Sequence, residues 1–121
     1  MILLTFNSNY ATRVIRTELS LQVARKDVGI FKDSFGRYPE TLSEIIQYSK
    51  THQELYLHEK MYVEFLSTLR GDRTEHTFLD GQGGYYYDPN IGEVKVNLTE
   101  PVKHYLPLYF GKKRNEIPAN W

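Results

Sequence analysis

The 121 residues suffice for one domain with a single core, and at this size folding buries roughly two thirds of the surface of the unfolded chain. Fifteen Lys and Arg balance fifteen Asp and Glu, so no broad positive field exists for a phosphate backbone and nucleic acid is not an expected partner. The chain has no cysteine, which excludes disulfides and thiolate metal sites, and it has no run near the ~20 apolar residues that span a bilayer.

Residues 10–35 contain no proline and one glycine, Gly29, and the apolar spacing predicts one long helix. At about 100° per residue, Tyr10, Val14, Leu21, Ala24, Val28, Phe31 and Phe35 share a face, while Ile15, Leu19, Val23 and Ile30 gather nearly opposite. A surface helix of a monomer needs only one such stripe. The second stripe is therefore either covered by the rest of the domain or is an assembly interface made of Ile15, Leu19, Val23 and Ile30.

Gly36 ends the helix, Pro39 holds Tyr38 extended, and Thr41-Leu42-Ser43-Glu44 has the capping-box pattern, which predicts a second helix over residues 42–49. The recurrence of Leu55, His58, Tyr62, Phe65, Leu66 and Leu69 predicts a third over residues 53–69, ended by Gly71 and Asp72. Residues 41–70 thus form a helical connection, and the charge-rich residues 70–77 a loop.

Gly81, Gly83 and Gly84 let the backbone turn tightly. After them Tyr85-Tyr86-Tyr87 and Glu93-Val94-Lys95-Val96-Asn97 predict a β-hairpin closed by a turn over Asp88-Pro89-Asn90-Ile91-Gly92. A further edge strand is expected over residues 105–110, interrupted by Pro107. Trp121 is expected to dock on the domain. These elements make one α+β domain: a long helix on a small antiparallel sheet, with the hairpin and tail over residues 79–121.

Chemical signals are sparse. His52, His58, His76 and His104 lack metal spacing, and the glycine loop lacks the strand and helix of a dinucleotide fingerprint, so no metal and no cofactor is expected. Asp80, Asp88 and Asn90 suggest at most a partial oxygen cluster, with turn hydrogen bonding the simpler role. Tyr85, Tyr86 and Tyr87, with Tyr105 and Tyr109, offer an aromatic surface for a ligand, although alternation in a strand sends one face of it toward the core. A further alternative is a hydrolase using Asp80 and Glu93 as acid and base.

Three segments resemble the pseudopilins of bacterial type II secretion, in particular the G-like class. Phe35-Gly36-Arg37-Tyr38-Pro39 with Thr41-Leu42 is similar to the family's "G-x-Y-P-x-T-L" junction. Leu79-Asp80-Gly81-Gln82-Gly83-Gly84-Tyr85-Tyr86-Tyr87-Asp88-Pro89 is similar to its "D-x-W-G-x-x-Y-x-Y" lead-in to the sheet, and Gly92-Glu93-Val94-Lys95 to the returning strand. The resemblance covers residues 10–97.

It implies a pilin-like fold and a structural, non-enzymatic role: polymerisation into a periplasmic filament that moves folded cargo across the outer membrane. The implied partners are other pseudopilin subunits and the secretion machinery. The implied location is the periplasmic side of the bacterial envelope, anchored in the inner membrane by a hydrophobic helix with a "F-T-L-x-E" processing motif, which this sequence lacks. The G-class calcium loop is not carried over, because only Glu100 and Glu116 are carboxylates after Asn97. The rival reading is a small envelope binding module or minor pilin that uses the tyrosine-rich hairpin.

Overall fold

A computed structural model describes residues 2–55 and 75–121, with side chains from residue 10 onward. Of the helix expected over residues 53–69, the described residues 53–55 form a turn that ends at the buried Leu55, and the rest, with His58 and most of the loop after it, lies outside the described residues. Helix α1 runs Ile2–Phe35, begins earlier than the sequence pattern marks, and at 1.5 Å per residue is about 51 Å long. It ends where expected: Gly36 has φ 73°, a conformation costly for a residue with a Cβ, and its N–H donates to Lys32 O at 2.8 Å.

Helix α2, Leu42–Ser49, starts at Thr41, whose hydroxyl accepts from the Glu44 N–H. Glu44 does not close a reciprocal box with Thr41. Its carboxylate takes the Glu40 N–H at 2.9 Å and both terminal nitrogens of Arg37 at 2.9 and 3.1 Å. Those bonds, the guanidinium's foremost, hold the Glu44 carboxyl below the usual carboxylate range.

The sheet is mixed rather than purely antiparallel. Its strands are β1 (Glu75–His76), β2 (Tyr85–Asp88) and β3 (Glu93–Val96), in that order across the sheet. The hairpin pairs Tyr85 with Val96 and Asp88 with Glu93 in antiparallel register, whereas β1 joins β2 in parallel. The short β1 falls where a charged loop was expected. It is fastened by Glu75, whose Oε2 accepts the Leu42 N–H at 2.8 Å and so places a carboxylate at the positive end of α2.

Residues 105–110 do not form the expected strand. A single helical turn, α3 (Val102–Tyr105), follows Pro101 and ends where that stretch begins, and Val102, Leu106 and Tyr109 turn inward at the spacing of a helix rather than a strand. The backbone N–H groups of Val102 and Lys103 donate to Glu116 O and Arg114 O, both at 2.9 Å. The segment thus closes against the tail, which ends in a 3-10 turn over Pro118–Asn120.

The core lies between α1 and the hairpin. Leu21, Ala24 and Phe31 of α1 are fully buried, joined by Leu42 and Ile45 of α2 and by Tyr85, Val94, Val96 and Leu98. At roughly 1.5–3 kcal/mol for each large apolar side chain fully buried, this seam is the main attraction within the fold. Around Phe31 the rings of Phe35 and Tyr48 stand 4.5 and 5.5 Å away, centre to centre, and they close the α1–α2 corner.

Gly29 is exposed on α1, and a Cβ there meets nothing within 4 Å. Gly29→Ala is expected to stabilise the domain by about 0.5–1 kcal/mol through helix propensity, measured as a higher urea midpoint at unchanged slope. A lower midpoint would show that the glycine serves a contact.

Candidate functional site

The predicted assembly stripe divides in the structure. Ile15 and Leu19 are 57% and 61% exposed, whereas Val23 and Ile30 are half-buried and Ile30 packs against the core. Helix α2 packs on the C-terminal end of α1, where Tyr48 meets Phe31 and Phe35. Lys113 Nζ reaches Glu18 Oε2 at 2.6 Å, so the tail meets α1 at the residue before Leu19.

The tyrosines do not form one surface. Tyr85 and Tyr87 are 1% and 2% exposed, their hydroxyls donating to Thr17 O at 3.2 Å and Pro39 O at 2.5 Å. Burial pushes the Tyr87 phenol well above its ordinary pKa. Tyr86 alone of the three is partly exposed, and Tyr105 is half-buried while Tyr109 is buried. The β-strand alternation that made a platform conceivable thus commits two of its three rings to the core.

The glycine loop is organised by a residue that sequence reading passed over, the fully buried Asn97. Its Nδ2 donates to Asp80 Oδ1 at 2.8 Å and to Gly83 O at 2.9 Å, and its Oδ1 accepts the Gly81 N–H at 3.1 Å. Gly81, Gly83 and Gly84 adopt φ of 77°, 105° and 68°, as the turn into β2 requires. At the other end of the hairpin, Pro89 is exposed in the turn, and Gly92, with φ 67°, lies so close under the Tyr38 ring that a Cβ would collide with it.

The proposed acid–base pair and the oxygen cluster are separated by the same hairpin. Asp80 sits beside Asn97, while Glu93 and Asp88 face each other at the far end, four residues or roughly 13 Å away along β3. Asp88 Oδ1 instead accepts the Asn90 N–H at 2.9 Å, a turn bond. Among the described residues no three His, Asp or Glu side chains converge as a metal site. His52 lies 3.3 Å from Glu54, and Glu116 accepts from the Trp121 indole at 3.0 Å.

A cavity of about 310 Å³ is lined by Glu40, Thr41, Ser43, Glu75, Thr77, Tyr87 and Pro89. Glu75 and Tyr87 already serve Leu42 and Pro39 there. No described helix is long and apolar enough to cross a membrane. No protein-family model matches the chain, and neither a curated protein nor a solved structure matches it. The described residues form an α+β fold, and the exposed face of α1 is its candidate functional surface.

Two substitutions test the loop. Gly84→Val places a β-branched residue at φ 68° and is expected to cost about 1–3 kcal/mol; an unchanged melting midpoint would show that the loop relaxes freely. Asn97→Ala strands buried partners and is expected to cost about 2–3 kcal/mol. The Asn97 amide, ahead of the Gln82 N–H, holds Asp80 below its ordinary pKa. A depressed carboxyl contributes stability that is present above its unfolded pKa near ~4 and is lost as pH falls through the folded value. Asn97→Ala should therefore raise the Asp80 titration midpoint and flatten that acid dependence, and an unmoved midpoint by NMR would refute the assignment.

Proposed function

We propose that this chain is the globular part of a pseudopilin-like subunit, acting by polymerisation on the periplasmic side of a bacterial envelope. The observation that carries the reading is the pair Ile15 and Leu19, more than half exposed on a helix whose other face already fills the core. Each would gain roughly 1.5–3 kcal/mol on complete burial, and repeated head-to-tail contacts that do not close give a filament. A long first helix, its stop at Gly36 and the following Tyr38-Pro39 support a pilin-like version of the α+β fold. Other subunits of the filament and its secretion machinery are the partners in this reading, and no cofactor or catalytic step enters it.

The rival binding module draws less support, since Tyr86 alone of Tyr85, Tyr86 and Tyr87 reaches the surface. The coding sequence upstream of Met1 separates the two readings. A leader and a hydrophobic helix with "F-T-L-x-E" support the filament subunit.

Leu19→Glu tests the surface directly, because Leu and Glu have similar helix propensity. The isolated domain should keep its stability within about 0.5 kcal/mol, while cells carrying the full-length variant should lose filament formation and secretion. Normal secretion by an expressed variant would sink the assembly role. Collapse of the domain's own thermal midpoint would assign Leu19 to the monomer core instead.

A further inference from the structure

Strand β3 is an outer strand of the sheet, and an open outer strand is a template for pairing with another chain. Asn97 N–H donates to Gly84 O at 3.0 Å, so by antiparallel alternation the main-chain groups of Val96 and Val94 point away from β2. Part of that outward edge is taken up. Arg25 of α1 sends Nε and Nη2 to Val94 O at 3.2 and 3.1 Å, and the same Nη2 reaches Trp121 O at 2.7 Å. The Pro118–Asn120 turn lies along β3, and Ala119 N–H donates to Leu98 O at 3.0 Å. Farther back, Lys113 ties the same tail to Glu18 on α1.

We propose that Arg25 and the 117–121 segment form an edge guard, a strap that keeps β3 from accepting a strand of a second copy of this chain. The strap donates to β3-side carbonyls where an incoming strand would donate. Arg25 is its latch, because one planar guanidinium reaches both the strand carbonyl and the end of the strap, a geometry a lysine ammonium does not reproduce. The guard directs association away from the sheet. It does not depend on the role of Ile15 and Leu19.

Arg25→Ala, Arg25→Lys and Arg25→Gln test the latch, each made in the full chain carrying Leu19→Glu so that helix-mediated association does not enter. Sedimentation equilibrium of folded variants should show mass rising with concentration from 14.3 kDa toward twice that value, with the Leu19→Glu chain monomeric over the same range. Amide exchange at Val96 should speed up in dilute variant and slow again as concentration rises. Monomers at every concentration in all folded variants would overturn the proposal. So would association that leaves Val96 exchange unchanged, or failure of all three to fold, which would make Arg25 a residue of the core.

Discussion

The burial of one face of α1 against the β2–β3 hairpin is the constraint from which the other contacts follow. Leu21, Ala24, Val28 and Phe31 share one buried cluster with the inward residues Tyr85, Tyr87, Val94 and Val96. Once the helix lies there, the Tyr85 hydroxyl meets Thr17 O and the Arg25 fork meets Val94 O. Both polar contacts join parts of the chain more than sixty residues apart. Apolar area supplies the attraction, and these bonds fix the register of helix on sheet, since each becomes costly when its partner is displaced.

Much of this frame was legible in the sequence wherever the signal is local. Gly36 stops α1 because the chain needs a positive φ at that point, and Thr41 starts α2 because a hydroxyl three residues before an N–H satisfies it. The hairpin was legible from alternation, with Val94 and Val96 inward and Lys95 outward of them. The elements that were not legible depend on distant partners. Glu75 and His76 form β1 because β2 has a free edge and α2 offers a helix start for the Glu75 carboxylate. Tyrosines and leucines around Pro107 favour a strand by composition, yet the backbone bonds from 102–103 to 114–116 settle that stretch as a turn of helix and a closed loop.

The candidate site was legible in a similarly partial way. Periodicity found two faces on α1, but only the packing of distant parts of the chain decides that Ile30 lies against the core while Ile15 and Leu19 stay outside. The role of Asn97 in the glycine loop had no signal of its own, because an asparagine at a strand end is ordinary in sequence, and its partners Asp80, Gly81 and Gly83 precede it by fourteen to seventeen residues. Asp80 and Glu93 are both acidic and both near the hairpin in sequence. The length of β3 nonetheless keeps them at opposite ends, as no count of residue types reveals.

The bonding of Asn97 has one more consequence, for covalent chemistry. Asn97-Leu98-Thr99 reads as an acceptor for an N-linked sugar, yet both amide hydrogens of Asn97 are engaged and the residue is fully enclosed. A glycan on Nδ2 would remove one of those hydrogens and force a bulky polar group through the turn that leads into β2. The folded domain is therefore closed to that modification. A sugar attached before folding would hold the glycine loop away from the strand it is built to meet.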